Sequence, residues 1–322
     1  MVEAAPLNLG RALPPLAVKR VAVLLNASAG AFHKTHAEDV RSTLEKAFAS
    51  HGVTAEIHFI ESDGLRAGAE TALASAKRRE IDAVVIGGGD GSVRVAAGLL
   101  AESDIPLGVL PLGTLNHFAK DLGIPLDVDA AAATIAAGLT RLVDLGEVNG
   151  KTFVNTSSIG IYPYMVIDRE RRRRTGPRGT KWMAMVPAFF RMLRHFPRRR
   201  LHIGARGLAR PYRTPCLFVG NNEYSTELFA FGRRAHLDRG VLWFYVVKPR
   251  NALEFFWMVC RLCFGRLDQA RDMDTFELGA AEINTKTSRL PVALDGDVMT
   301  ILSPLRYRSR PRALRVIVPE TS

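Results

Sequence analysis

Residues Val84 to Val93 read VVIGGGDGSV, an apolar run that opens onto three glycines followed by Asp-Gly-Ser. Glycines let backbone N–H groups approach a phosphate, and a carboxylate at the exit of a buried strand suits metal or proton chemistry. Gly88, Gly89, Asp90, Gly91 and Ser92 are therefore candidate nucleotide contacts, with Asp90 also a candidate catalytic and metal-binding group. A tight turn without a ligand also uses glycines, so this motif alone is only moderately specific. Two companions raise its weight. Ile105 to Leu110 empties into Pro111-Leu-Gly-Thr-Leu-Asn116, which adds Gly113, Thr114 and Asn116. Upstream, Val21 to Leu25 ends in Asn26-Ala-Ser-Ala-Gly30, which adds Asn26, Ala27, Ser28 and Gly30. Together these loops offer N–H groups, hydroxyls, an amide and a carboxylate, a set suited to a polyphosphate and its metal.

Such loops need strands to present them. From Val21 to about Gly138, apolar strands (Val21–Leu25, Ala55–Ile60, Ala83–Ile86, Leu107–Leu110) alternate with helical stretches (His36–Ser50, Leu65–Arg79, Val93–Ala101, Val128–Ala137). That alternation predicts a parallel three-layer α/β domain with ligand loops at the strand C-termini. From about Leu142 the pattern changes to short apolar runs with turn signals. They include Asn149-Gly150, Leu201–Ala205, Cys216–Val219, Val241–Val247, Phe276–Ile283 and Val292–Leu294. The expected fold class is α/β: an N-terminal three-layer α/β nucleotide-binding domain, then a C-terminal β-rich sandwich domain. Expected boundaries are a flexible tail at 1–18, the first domain at 19–140, the β-rich domain at 141–304 and a final strand at 305–322.

The chain has 322 residues, 47% of them hydrophobic, and a net charge of +12. It is long enough for a good core and for two domains. The first twenty residues hold Glu3 and three prolines and match neither a signal peptide nor a membrane span, so a cytoplasmic location is expected. Cys216, Cys260 and Cys263 are too few for a disulfide framework, and the lone C-x-x-C sits in an apolar run. Buried thiols are expected there rather than zinc. Most of the positive charge is local: residues 161–200 carry twelve Arg or Lys against Asp168 and Glu170. Within that segment Trp182, Met185, Val186, Phe189, Leu193 and Phe196 recur at helical spacing. An amphipathic basic helix over Trp182–Phe196, within the basic segment Arg169–Arg200, suits an anionic membrane surface, and nothing there resembles a nucleic-acid recognition motif. The competing reading is a helix packed on its own domain with a solvated basic face. Leu253 to Leu267, broken by Arg261 and Arg266, is too short to span a bilayer and is read as a lipid-pocket wall or as core.

The three loops, in this order and spacing, resemble the nucleotide-binding motifs of the diacylglycerol kinase catalytic domain family, which includes bacterial soluble lipid kinases and sphingosine and ceramide kinases. The resemblance runs from about Lys19 to Val318, and Leu294-Asp-Gly-Asp297 resembles the family's late Asp-Gly-Glu or Asp-Gly-Asp element. Gly-Gly-Asp-Gly alone is shared with NAD kinases, so the Pro-x-Gly-Thr-x-Asn loop and the late element decide the resemblance. It implies ATP and Mg²⁺, a lipid substrate, and a last strand that returns to the first domain. Asp297 takes the proton-acceptor role by resemblance, with Asp295 beside it and Asp90 as the nucleotide-loop carboxylate. On its own, Asp295-Gly-Asp297 has a polar β-turn as its competing reading. Ser62 resembles a hydroxyl residue that precedes the family's second helix, and Asn116 is expected to brace its loop.

Three positions depart from the family pattern. His117 stands where many relatives carry Asp, with Asp121 one turn on as a substitute; Arg94 stands where Asn is usual. Leu237-Asp-Arg-Gly-Val241 resembles a turn that holds a structural magnesium, but Arg239 replaces its second Asp and a guanidinium cannot ligate a cation. Asp238 is the one carboxylate left there. The function implied is an ATP-dependent lipid kinase acting on a diacylglycerol-like or sphingoid lipid, peripheral to the inner face of the plasma membrane. Its alternatives are a soluble kinase of a small polar alcohol, as the NAD kinases are, and a non-catalytic nucleotide- or lipid-binding regulator. A homodimer stays among the candidate partners.

Overall fold

The computed structural model describes residues 13–28, 37–167, 198–205, 208–224, 234, 236–263 and 269–320. Gly30, most of the Arg169–Arg200 segment and residues 1–12 of the expected tail lie outside the described residues. The chain divides into two compact units. The first holds residues up to Leu145, Arg233–Gly240 and Arg310 onward; the second holds Gly146–Gly232 and Val241–Ser309.

The first unit begins with β1 (Arg20–Asn26), α1 (Ala37–Ser50), β2 (Thr54–Ile60), α2 (Leu65–Lys77) and β3 (Ala83–Gly88). It continues with α3 (Asp90–Leu100), β4 (Leu107–Pro111), α4 (His117–Asp121) and α5 (Val128–Ala137). The strands run parallel in the order β2-β1-β3-β4. β3 and β4 are buried along their whole length, which is why they read as unbroken apolar runs rather than alternating ones. α1 packs with α5 and α2 with α3, giving three layers. α5 is closed at both ends by its own sequence: Asp127 accepts the Ala130 N–H (3.0 Å), and Gly138 ends the helix in the left-handed region.

Two boundaries differ from the sequence reading. α3 starts at Asp90 rather than Val93, so the Asp-Gly-Ser of the glycine loop is the first turn of the helix and not its approach. The expected flexible tail is tied down from residue 13: the Leu13 N–H bonds the Thr140 carbonyl (2.8 Å), the Leu16 N–H bonds the Gly138 carbonyl (2.9 Å), and Val18 is buried.

In the second unit β5 (Thr140–Val148), which enters from the first unit, and β6 (Lys151–Phe153) form a hairpin. Asn149 and Gly150 both take positive φ at its turn, the pairing that favours this dipeptide. β7 (Thr156–Gly160), β8 (Arg199–Ala205), β9 (Leu208–Thr214), β10 (Cys216–Asn221) and β11 (Leu242–Val247) follow. Next come α6 (Ala252–Cys263), α7 (Gln269–Asp272), β12 (Met273–Leu278), β13 (Ala280–Thr285), β14 (Arg289–Leu294), β15 (Asp297–Leu302) and β16 (Leu305–Ile317). One antiparallel sheet runs β12-β11-β10-β7-β14-β15; β9, β8, β13 and the start of β16 pair in a second. Ile159, Leu217, Phe244 and Leu290 of the first meet Leu201, Ile203, Ile283 and Tyr307 of the second in one core. The run Phe276–Ile283 is not one strand: the chain turns at Gly279, leaving β12 in one sheet and β13 in the other. The far end of β16 lies parallel to β4 in the first unit, Val316 opposite Leu107.

Cys216 is buried as expected and Cys260 is half-buried; among the described residues no cluster of His, Cys, Asp and Glu could hold a metal.

Candidate active site

Because β1, β3 and β4 are parallel neighbours, their three exits lie side by side at one sheet edge, and the β2 exit adjoins them. Hydrogen bonds lock these loops together. Asn26, the last residue of β1, donates from Nδ2 to Ser92 Oγ (2.8 Å). Its Oδ1 accepts the Ser28 N–H and the Ser62 hydroxyl (both 3.0 Å). Asn26 is thus the hub of three loops, and Ser62, placed on a loose resemblance, sits in its contact. The Ser28 hydroxyl in turn donates to Glu61 Oε2 (2.6 Å), a partner that spacing did not single out.

Asp90 joins the second loop to the third. Its two oxygens accept the His117 N–H (3.1 Å) and the Phe118 N–H (2.9 Å), capping the start of α4. A carboxylate at a helix start is stabilised by the N–H groups it meets. Asn116 sits at φ 51 and braces its own loop: Oδ1 accepts the Gly113 N–H (2.9 Å), and Nδ2 donates to the Pro111 and Gly113 carbonyls (3.0 and 2.9 Å). The loops touch through glycine. A Cβ on Gly113 would stand 2.4 Å from the Gly89 Cα and 2.7 Å from Asn116 Oδ1, and a Cβ on Gly88 would meet Ser92 Oγ at 2.5 Å. Thr114 is exposed above this contact, and Ser92 is buried within it. The result is a rigid backbone floor at the head of α3, where the Ser92 N–H bonds the Gly89 carbonyl (2.9 Å) and the helix start turns its N–H groups toward the loops. Ala27 and Gly91 lie on the same floor by chain connection. It fits a phosphate, and Asp90 is the carboxylate held there to fit the cation that would accompany one.

Asp121 cannot stand in for the carboxylate missing at His117. It is buried in an ion pair with Arg234, whose side chain is fully buried: Nε to Oδ2 is 2.7 Å. The sequence reading missed this partner because the two residues are 113 positions apart and nothing local marks the pair.

The turn around Asp238 does not fit the structural cation that the resemblance implies. Asp144, a buried carboxylate that sequence reasoning passed over, accepts the Gly240 N–H (2.6 Å) and the Arg312 N–H (2.7 Å), while its own N–H bonds the Leu237 carbonyl (2.7 Å). The positive charge beside Asp238 comes from Arg141. Burial pushes that guanidinium's pKa down and the Asp238 carboxylate opposes the fall. A guanidinium stays charged and offers no ligand geometry to a cation. The melting temperature of the nucleotide-free protein is therefore expected to be the same in excess chelator and in millimolar Mg²⁺. A saturable rise of several degrees with Mg²⁺ would show that a cation does bind at this turn.

Asp295 and Asp297 belong to the second unit and are differently placed. Asp295, at φ 48, accepts the N–H groups of Val154 (2.8 Å), Asn155 (2.8 Å) and Thr156 (3.0 Å), so its carboxylate stitches the β14–β15 turn to the chain between β6 and β7. Asp297 is the first residue of β15 and its side chain is exposed. The same unit contains a cavity of about 190 Å³ whose exposed lining surface is apolar; its walls include Ile161, Met165, Phe218, Phe255, Met258 and the Cys216 thiol, and Tyr162 is the lining side chain that carries a hydroxyl. Burial pushes the Cys216 thiol up to about 12, so it is a neutral part of that wall.

Comparison with known proteins matches residues 20–148 to the diacylglycerol kinase catalytic domain. The chain is 34% identical over 165 residues to a diacylglycerol kinase of Bacillus subtilis, covering 49% of this chain and 51% of that one. It is 29% identical over 253 residues to a diacylglycerol kinase of Mycobacterium tuberculosis, covering 77% and 80%. An uncharacterized Synechocystis protein is 26% identical over 242 residues, covering 73% and 54%. The chain thus spans about half the length of two of these three relatives. The crystal structure of a diacylglycerol kinase from Bacillus anthracis superposes with a TM-score of 0.66 at 19% identity, over 94% of this chain and 98% of that one, a likeness of fold. The three loops all lie inside residues 20–148, so the match to the diacylglycerol kinase catalytic domain covers the candidate nucleotide site.

Proposed function

We propose that this protein is an ATP- and Mg²⁺-dependent lipid kinase that phosphorylates a hydroxyl of a diacylglycerol-like or sphingoid lipid at a membrane surface. The observation that carries the choice of acceptor is the apolar cavity of the second unit. A kinase of a small polar alcohol needs hydrogen-bonding groups to orient its acceptor, whereas an acyl chain needs only apolar walls. No helix among the described residues is long and apolar enough to cross a membrane, and the basic segment Arg169–Arg200 is our choice for contact with anionic lipid. We assign no nucleic-acid role.

In this reading the glycine floor of Gly88–Ser92 and Gly113 holds the phosphates through backbone N–H groups, with Asn26, Ser62 and Asn116 keeping the loops rigid. A magnesium ion bound with the nucleotide would offset phosphate charge, and Asp90 is the residue to hold it. Asp297 takes the proton from the acceptor hydroxyl as its oxygen bonds the γ-phosphorus, and the bond to the departing ADP oxygen breaks. His117, Arg94 and Arg239 favour the rival reading of a non-catalytic regulator; the intact Asp90, Thr114 and Asp297 argue against it.

The test is phosphate transfer from labelled ATP with Mg²⁺ to diacylglycerol, monoacylglycerol, sphingosine and ceramide in mixed micelles. A labelled lipid is the expected result and names the class. Silence across the panel with nucleotide still bound would favour a polar acceptor or the regulator.

A further inference from the structure

The described residues expose nine large hydrophobic side chains, and six of them lie on two neighbouring pieces of the second unit. Four, Tyr162, Tyr164, Met165 and Ile167, are on the helical stretch 161–167 that follows β7; the others, Leu253 and Trp257, are on α6. Scattered exposed hydrophobics carry no message, but a cluster rimmed by charge marks an interaction surface. α6 is apolar on more than one side. Phe255 and Met258 face the cavity, while Leu253 and Trp257, one helical turn apart, are 65% and 56% exposed.

We propose that this face, α6 together with residues 161–167, docks on an anionic phospholipid bilayer and inserts Trp257 and Leu253 into it. Three observations select a bilayer over a protein. The patch is rich in Tyr and Trp, whose mixed character suits the headgroup boundary. Cations border it: the Arg199 guanidinium lies over the Tyr164 ring at 5.6 Å from its centroid, and the exposed Arg250 precedes α6. Finally, Tyr162 and Met165 are at once exposed and part of the cavity lining, so one layer of side chains separates the face from the cavity. A bilayer pressed there would deliver an acyl chain to the cavity, whereas a protein partner would seal it. This proposal rests on the lipid-kinase reading for its purpose but is measured without it.

The experiment is co-sedimentation of the full chain with vesicles of phosphatidylcholine and phosphatidylglycerol, for wild type, Leu253→Ser/Trp257→Ser and the control Leu126→Ser, an exposed leucine of the first unit. The double variant is expected to bind roughly tenfold or more weakly, because two large apolar side chains lose their insertion. The control should bind as wild type, and salt should weaken all binding. Equal binding by the double variant overturns the proposal. In a second measurement, vesicles with brominated acyl chains should quench wild-type emission more than that of Trp257→Phe; equal quenching places Trp257 outside the bilayer and overturns it as well. If the double substitution instead changes sedimentation from dimer to monomer with vesicle binding intact, the face belongs to a second copy. Turnover on a short-chain acceptor below its micelle concentration separates the two readings. Activity there with no vesicle binding refutes only the docking face, and vesicle binding with no activity on any acceptor refutes only the kinase.

Discussion

Asp297→Asn is expected to lower kcat for lipid phosphorylation by about 10²–10⁴-fold, the range for losing a positioned proton acceptor. An amide keeps the shape of the side chain and cannot take the proton. Asp297 is exposed at the start of β15 and makes no part of the core, so the melting temperature should stay close to that of wild type. Asp295→Asn is the informative contrast. Its two oxygens accept three backbone N–H groups, and an amide nitrogen turned toward any of them meets a donor with a donor. Leaving a partly buried N–H unpaired costs about 1–3 kcal/mol, so Asp295→Asn should destabilise the second unit. Steady-state turnover on the best lipid acceptor, together with thermal melts of both variants, checks this. Wild-type turnover in Asp297→Asn would show that another carboxylate takes the proton, and loss of turnover at Asp295 with an unchanged melt would move the role there.

Asp121→Asn should cost about 3–5 kcal/mol of stability, because it takes the paired carboxylate away from the fully buried Arg234 guanidinium. Such a penalty exceeds most single surface changes several-fold and is a large part of a domain's total stability. Replacing both partners, as in Asp121→Leu/Arg234→Met, should recover much of the loss, since a buried ion pair is often no better than apolar residues of similar volume. Urea unfolding checks both variants, with the midpoint moving and the slope unchanged if only stability has altered. Full stability of Asp121→Asn with lost nucleotide binding would restore the carboxylate to the site and contradict the ion-pair assignment.

The loops were legible in the sequence because each requirement is local. Glycine where backbone must approach backbone, a carboxylate at a helix start and an amide bracing its own turn all act within a few residues. Hence Gly88–Ser92, Pro111–Asn116 and Asn26 could be read from type and spacing, and the parallel α/β fold could be read from unbroken apolar runs. The β-rich unit was legible only in outline. β12 and β13 read as one apolar run because alternation says which residues are buried but not against which sheet. Three assignments needed the fold itself. Asp121 became a structural anion through Arg234, Asp144 came to hold the turn at Asp238, and Asp295 became a brace while Asp297 stayed open to solvent. The sequence by itself determined which residues can do chemistry, since side-chain type and short spacing set that. Which of these carboxylates is bound up by distant N–H groups and guanidinium groups was decided by the tertiary structure, because those partners lie as far as 168 residues away along the chain.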